Sequence, residues 1–415
     1  MKDADRIFTN LDGSGEPGLA GAMKRGEWTD IAACFRKSPA ELLTLFRESG
    51  MRGRGIYGQK TADKWERFIR ESKEPRFLVV SANEGEPGTC KNKFLLRNET
   101  YKLLEGCLLA AYVTGIHRAI IYVRGTFAEE AELLEKAIAE LYDAGYFGRN
   151  ILGSGFDFDV SVHRGGGAYV CRVDSALFKS IEGRRPHPSA PSFREKGLYG
   201  APTLVHSVET LAVLPVIVRR GAGWFASLGR ADNEGTRLFS IEGNVRTPCL
   251  VEEQLGIPMR DLIDRYGGGV EGGWSNLQAV IPGGISTAFL SPGICEHVRM
   301  DYDSLSEVYS GVGTGAVIVM DMSADLPAIL EKIVRFFHAE SCGACVCCRE
   351  GCARMAGLTG RIVSGQGKIA DIALLEELCE RMDGNALCAV GNMSVRPVLG
   401  FLRHFRRLLE ERCHD

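Results

Sequence analysis

The chain has 415 residues, 45% of them hydrophobic and 25% charged, with a formal net charge of −3. That length supports two or three domains with their own cores, and the near-neutral charge argues against a nucleic-acid-binding surface. No apolar run approaches the roughly 20 residues of a membrane span, so no direct membrane insertion is expected; the longest, Ala119–Val123 and Ala316–Met320, are strand-sized. Fourteen cysteines fall mostly singly in apolar surroundings (Cys34, Cys107, Cys171, Cys379), and nothing at the N-terminus resembles a secretory signal. This pattern suits a reducing compartment, the cytoplasm or the cytoplasmic face of a larger complex.

Residues 1–36 carry glycines and little periodicity, as in an extension that wraps another surface. Ser38-Pro39-Ala40-Glu41 has the form of a helix start, with proline at the first helical position. It leads into the amphipathic Leu42-Leu43-x-Leu45-Phe46 and then a glycine-rich loop from Gly50 to Gly58. Phe77–Val80 reads as a short buried strand that empties into Ser81-Ala82-Asn83-Glu84-Gly85-Glu86-Pro87-Gly88. A helix over Tyr101–Ala111, a strand over Ala119–Val123, a helix over Glu129–Asp143 and a strand over Phe156–Val162 continue the alternation. Such a series predicts a parallel α/β sheet. Ligands on these sheets sit at the carboxyl ends of strands, where the turns after Val80 and Val162 fall.

Further on, Arg237–Val245 and Ala279–Ile281 read as strands, with Leu250–Leu255 and Met259–Arg265 as helix. They form a small α+β module of β-grasp type, and Thr314–Met320 is one more strand. From Ala324 the pattern is helical to the end. The expected division is 1–36, 37–235, 236–322 and 323–415.

The helical part contains Ser341-Cys342-Gly343-Ala344-Cys345-Val346-Cys347-Cys348-Arg349-Glu350-Gly351, with Cys388 further on. Three cysteines at Cys-x2-Cys-x2-Cys spacing plus a distant fourth suit a [4Fe-4S] cube, each iron taking one thiolate. The expected ligands are Cys342, Cys345, Cys348 and Cys388. Zinc favours two cysteine pairs or added histidines, whereas His338 and His404 lie outside any such frame. Cys347 and Cys352 crowd the motif and leave two readings open, replacement of a neighbouring ligand or packing as small hydrophobes.

These stretches together resemble the NADH-oxidising flavoprotein subunit of respiratory complex I, shared with the diaphorase subunits of NAD-linked hydrogenases and formate dehydrogenases. The resemblance is carried by Gly53-Arg54-Gly55 with Lys64-Trp65, Glu84-Gly85-Glu86-Pro87-Gly88-Thr89, Gly197-Leu198-Tyr199-Gly200, Val208-Glu209-Thr210-Leu211, Glu340-Ser341-Cys342-Gly343 and Cys388-Ala389-Val390-Gly391. It covers nearly the whole chain. It implies a Rossmann-like flavin domain, a ubiquitin-like middle module and a helical bundle carrying a [4Fe-4S] cluster. It also implies hydride transfer from NADH to FMN, with single electrons leaving through the cluster, a two-electron to one-electron exchange that flavin performs. By the same resemblance Gly53, Arg54 and Gly55 cradle FMN, with Lys64 at its edge. Ser81, Asn83, Glu84, His206 and Ser207 belong to the flavin site, and Glu86 faces the nicotinamide side with Asp174 as a second acid. The partners it implies are a thioredoxin-like [2Fe-2S] subunit and a larger iron–sulfur or catalytic subunit.

The departures from the family pattern gather around this pocket. The family's Arg-Gly-Gly-Ala-Gly-Phe turn is here Arg54-Gly55-Ile56-Tyr57-Gly58-Gln59, and its Asn-Ala-Asp-Glu is Ser81-Ala82-Asn83-Glu84. Its Cys-Gly-Glu-Glu-Thr is Cys171-Arg172-Val173-Asp174-Ser175, its Asn-Asn is His206-Ser207, and the lysine of its Lys-Pro-Pro-Phe segment is missing around Ser189–Phe193. Each lost polar partner weakens ligand binding by roughly 1–3 kcal/mol. Two readings follow. In the one favoured here, the cluster is intact, the FMN and NAD(H) sites are altered and the chain is an electron relay, with Tyr57 filling vacated space. In the alternative, FMN is kept and the chain is an active NAD(P)H dehydrogenase subunit. Elsewhere, Arg164-Gly165-Gly166-Gly167 reads as a tight turn more than a phosphate loop, and Phe336 and Phe337 are expected to shield the cluster from water.

Overall fold

In the computed structural model, which describes residues 1–56, 58–189 and 197–414, the apolar run at Phe77–Ala82 forms the central strand of a parallel sheet. Tyr57 and the segment after Ser189 invoked above therefore lie outside the described residues. The first domain contains α1 (Pro39–Glu48), α2 (Thr61–Glu71), β1 (Phe77–Ala82), α3 (Lys91–Asn98), α4 (Thr100–Thr114), β2 (Arg118–Arg124), α5 (Ala128–Asp143), β3 (Asp159–Gly165), α6 (Asp174–Ile181), β4 (Thr203–Ser207) and α7 (Val208–Arg220). Helix α1 begins as expected, with Ser38 and Glu41 satisfying each other's backbone N–H in a capping box. The sheet order is β3-β2-β1-β4 and every pairing is parallel.

That order sets the place of the site. The chain moves outward from β1 to β2 and β3, then crosses back to lay β4 on the other side of β1. The topological switch point lies between β1 and β4, and the crevice outside their carboxyl ends is the place such sheets bind ligands. Strand β3 occupies 159–165, not 156–162. Phe156 and Phe158 pack in the core while the Phe158 backbone bonds to Gly148 in the preceding turn.

Helix α4 is buried along almost its whole length because it packs against α7 above all, and also against α1, α3, α5 and the sheet. Gly106 allows this approach, since a Cβ there would sit 1.9 Å from the Leu211 carbonyl oxygen. The N-terminal residues wrap the chain's own body. Trp28 is buried, its Nε1 donating to the Tyr101 carbonyl at 2.9 Å, and the amides of Ile7 and Phe8 donate to the Glu252 carboxylate at 3.0 Å.

The middle module comprises β5 (Thr236–Gly243), β6 (Cys249–Gln254), α8 (Met259–Tyr266), β7 (Leu277–Ile281) and β8 (Ala316–Asp321), in sheet order β6-β5-β8-β7. Strands β5 and β8 pair in parallel and the outer two pairings are antiparallel, as in a β-grasp. The predicted helix at Leu250–Leu255 is wrong, because this segment is β6. A stretch of six residues is too short to hold a helix by its own bonds, and here it gains a full ladder with β5, the Leu238 position facing Glu252.

The C-terminal part is a bundle of α9 (Leu326–Ala339), α10 (Val346–Val363), α11 (Ile369–Met382), α12 (Ala389–Ser394) and α13 (Arg396–Glu410). Leu330, Phe337, Met355, Leu358, Leu375 and Phe401 form its core, which is continuous with Ala279, Ile281 and Phe289 of the module and with Tyr169 of the first domain. None of the described residues forms a helix long and apolar enough to cross a membrane.

The α4–α7 contact makes a direct prediction. Gly106→Ala would favour an isolated helix by about 1 kcal/mol, yet here the added methyl meets backbone. The full chain should lose about 1–3 kcal/mol of stability, read as a lower denaturation midpoint; a midpoint that rises would contradict the packing.

Candidate functional site

A cavity of about 750 Å³ opens at the switch point, between the carboxyl ends of β1 and β4 and beneath the loop before α2. It is in the size range of cofactor sites, about 300–1,000 Å³. Gly53, Arg54, Gly55, Lys64, Ser81, Asn83, Glu84, His206 and Ser207 all line it, and so do Glu86 and Asp174. Every flavin and nicotinamide position named from the sequence is thus brought to one place. The substituted residues Ile56, Gln59, Arg172, Val173 and Ser175 line it as well, and the cavity stays open around them. None of Arg164 to Gly167 does; that run closes β3.

The loop at Gly53–Gly55 is held by its backbone. The Gly53 amide donates to the Gln59 carbonyl at 2.8 Å and the Arg54 amide to Thr210 Oγ1 at 2.9 Å. The Arg54 side chain, 1% exposed, reaches the carbonyls of Arg52 and Glu234, which makes it an anchor for the loop. At Gly55 a Cβ would meet nothing within 4 Å, so the backbone there is left bare towards open space. Lys64 Nζ donates to the Val205 carbonyl at 2.6 Å. Burial pushes its ammonium below the usual lysine value, against the pull of Asp174. Asp174 stands at the start of α6, where water still reaches it within the cleft. Its sunken position pushes its carboxyl up, with Lys64 opposing.

The acidic turn after β1 is more structural than the sequence suggests. Glu84 caps α3, accepting from the amides of Asn92 at 2.9 Å and Lys93 at 3.1 Å. Burial pushes its carboxyl up and these two bonds offset part of the rise. Glu86 is locked on both oxygens. Oε1 accepts from the Ser286 amide and hydroxyl at 2.9 and 2.6 Å, and Oε2 from Arg172 Nη1 at 2.7 Å and the Tyr169 hydroxyl at 3.2 Å. Asn83 Nδ2 donates to the Ala168 carbonyl at 2.9 Å.

Sequence reasoning missed Lys91, Asn92 and the role of Glu209. Lys91 lines the cavity and donates to Glu209 Oε2 at 2.5 Å and to the Arg54 carbonyl at 3.3 Å. The available signal was the Glu209 of the Val-Glu-Thr stretch, a carboxylate in an otherwise apolar helix that demands a cation.

The lining fits a polar, anionic, flavin-like group. Three buried side-chain atoms on lining residues, Asn83 Oδ1, Asn92 Oδ1 and Arg54 Nε, have no hydrogen-bond partner, and such orphans are costly unless a ligand meets them. Five basic residues line the cavity (Arg54, Lys64, Arg67, Lys91, Arg172) against three acidic ones (Glu84, Glu86, Asp174), a balance that favours a phosphate.

A second, smaller cavity lies in the helical part, lined by Cys342, Cys345, Cys348 and Cys388 with Ser341, Ala344 and Val170 among others. Cys342 and Cys345 lie in the loop before α10, Cys345 is the residue just before that helix, and Cys348 is in its first turn. The partial positive charge of the α10 N-terminus favours thiolates there. Cys388 directly precedes α12, a short helix. Among the described residues no three His, Cys, Asp or Glu side chains converge on one metal-sized point; the four cysteines share the lining of one cavity, and a cube takes one thiolate at each iron. Cys347 and Cys352 do not line this cavity. Phe336 and Phe337 make T-shaped contacts with the Tyr169 ring, and Phe337 lies in the same buried cluster as Cys348 and Cys352. The two cavities share a wall made of Pro188, Leu387 and Cys388.

His206 generates a testable pH dependence. Its Nε2 accepts from the buried Trp65 Nε1 at 2.7 Å, and burial holds its pKa well below 6.5, with Lys64 adding to the effect. Below about pH 6.5 the unfolded chain binds a proton that the folded chain refuses, so stability drains as pH falls, by up to about 1.4 kcal/mol per pH unit. The sensitivity is absent above that value. His206→Gln keeps an acceptor without the titration. Thermal unfolding at pH 7.5 and 5.5 should show a smaller acid-induced drop in the variant, and equal drops would contradict the assignment.

Residues 46–216 match the family model described as the Nuo51 FMN-binding domain, residues 237–319 the SLBB domain, and residues 328–412 the NADH-ubiquinone oxidoreductase-F iron-sulfur binding region. The chain is 47% identical over 416 residues to the mitochondrial NADH dehydrogenase [ubiquinone] flavoprotein 1 of Dictyostelium discoideum, covering 99% of this chain and 87% of that one. It is 44% identical over 414 residues to an NADH-quinone oxidoreductase subunit of Rickettsia bellii (strain OSU 85-389), covering 99% of each. Among solved structures, NAD+-reducing [NiFe]-hydrogenase in its H2-reduced state superposes with a TM-score of 0.82 at 31% identity, over 97% of this chain and 67% of that one. With an FMN-binding domain, an SLBB module and a [4Fe-4S] region in that order, the chain belongs to the family of NADH-oxidising flavoprotein subunits of complex I.

Proposed function

We propose that this chain oxidises NADH at FMN held in the 750 Å³ cavity and passes the electrons to a [4Fe-4S] cluster in the cysteine-lined cavity. One observation carries the proposal: Cys388 belongs to the walls of both cavities, so a cluster ligand borders the flavin space directly. The flavin supplies the exchange between a two-electron hydride and single electrons.

In this reading the chain's own residues divide the work. The Gly53-Arg54-Gly55 loop presents bare backbone to the flavin, and Lys64 and the unpartnered Asn83 and Asn92 oxygens lie along its polar edges. Ser81, Glu84, His206 and Ser207 shape the floor at the ends of β1 and β4. Glu86 and Asp174 border the nicotinamide side. Glu86 is charge-compensated by Arg172, which lowers the repulsion an anionic dinucleotide would meet. Cys342, Cys345, Cys348 and Cys388 hold the cluster.

The relay reading favoured from the sequence required a closed cleft. Among the described residues the cleft is open, and the relatives at 44–47% identity are named for NADH oxidation. These facts favour the dehydrogenase alternative, with the substitutions retuning the site. The chain then works as a peripheral subunit at the cytoplasmic face of a multi-subunit oxidoreductase. Its partners are a thioredoxin-like [2Fe-2S] protein and a larger iron–sulfur or catalytic subunit.

Two variants test this. Gly55→Val places a side chain in open cavity space without a backbone clash, and should cut flavin retention and NADH-dependent dye reduction at least tenfold, about 1.4 kcal/mol of binding, with iron unchanged. Cys388→Ser should lower cluster iron and electron delivery to the partner subunits while NADH-dependent dye reduction persists. A wild-type chain that retains flavin yet never reduces dye with NADH would defeat the proposal.

A further inference from the structure

The Cys348 sulfur is the corner of the cysteine cavity with side-chain hydrogen bonding on two sides. Ser341 Oγ lies 3.4 Å from it and Cys352 Sγ 3.8 Å from it. Ser341 Oγ accepts the Gly343 amide at 3.4 Å, which leaves its hydroxyl proton free for the sulfur. Cys352 sits one helical turn after Cys348 on the same face of α10, with no exposure to solvent. Its other neighbour is Ser394 Oγ at 3.6 Å, whose own proton goes to the Gly391 carbonyl at 2.7 Å. The Cys352 proton therefore has two acceptors. A ligating Cys348 is an ionised thiolate, and a charged acceptor outcompetes a neutral hydroxyl.

We propose that Ser341 and Cys352 are positioning residues for electron transfer, each directing a proton at the Cys348 sulfur and thereby raising the reduction potential of the cluster. The inference rests on Cys348 being a cluster ligand, as proposed above. One-electron reduction adds negative charge to the cluster and its ligand sulfurs, and hydrogen bonds to those sulfurs stabilise the reduced form. This gives Cys352 a role distinct from both readings the sequence left open, since it neither replaces a ligand nor merely packs.

The test is a redox titration of the full chain carrying its cluster, followed by the EPR signal of the reduced form, with iron measured on each sample. Ser341→Ala and Cys352→Val should each lower the midpoint potential at full iron content. Cys352→Thr, which restores a donor, should recover most of the second shift. Unchanged midpoints in Ser341→Ala and Cys352→Val at full iron overturn the tuning role and leave the ligand assignment standing. Loss of iron in Cys352→Val with iron kept in Cys348→Ser would make Cys352 the ligand and overturn both. If Cys352→Val does not fold, Ser341→Ala decides alone, an unchanged midpoint again being the contrary result.

Discussion

The cavity at the switch point depends on one buried ion pair, Lys91 with Glu209. Side-chain exposure is 7% for the lysine and none for the glutamate. Lys91 also holds the Arg54 carbonyl of the loop before α2, and the second Glu209 oxygen takes the amide of Leu238 at the start of β5. One contact thus joins the loop, α3, α7 and the middle module. Burial pulls the lysine below its usual value, and against the same burial Lys91 and Arg237 keep Glu209 below the normal glutamate range. Removing one partner from such a pair leaves an uncompensated buried charge, at a cost of about 3–5 kcal/mol. The pair is better understood as a fixed joint between domains than as net stabilisation, because its desolvation offsets much of its attraction.

With that joint in place, the rest of the site follows from topology. The parallel sheet with its reversal between β1 and β4 opens a crevice at the strand ends. The middle module closes one side through Ser286 on Glu86, and the helical part closes another through Glu340, which accepts the Tyr169 amide at 3.1 Å. The same helical part brings Cys388 to the shared wall. Two sequence-distant segments, at Pro188 and at Leu387–Cys388, therefore form the wall between the cavities, where two-electron and one-electron chemistry can meet.

Much of this was legible in the sequence because the strongest signals are local. The cysteine spacing marks three residues that line one cavity without any tertiary information, the strand–helix alternation implies a parallel sheet, and Ser38 with Glu41 announces a helix start. The errors come from competition between local and long-range forces. Leu250–Leu255 satisfies helical and extended patterns equally, and only pairing with β5 decides. Phe156 and Phe158 look like strand residues because they are core residues, yet they precede β3, and Phe158 bridges back to Gly148 instead of joining the sheet. Lys91 looks like a surface lysine until Glu209, 118 positions away, is seen beside it. The substitutions around the pocket line one cavity, as the sequence suggested. Counted one at a time they are lost polar partners, but His206 is absorbed by Trp65 and Arg172 by Glu86, and among the described residues the space remains.

The central claim is that this open space holds a working flavin beside the cluster. The most direct measurement is the flavin released by acid from anaerobically purified chain, quantified against its iron. The account predicts about one FMN per four irons, the complement of one flavin beside one [4Fe-4S] cube. Iron at that level with no flavin would contradict it and restore the relay.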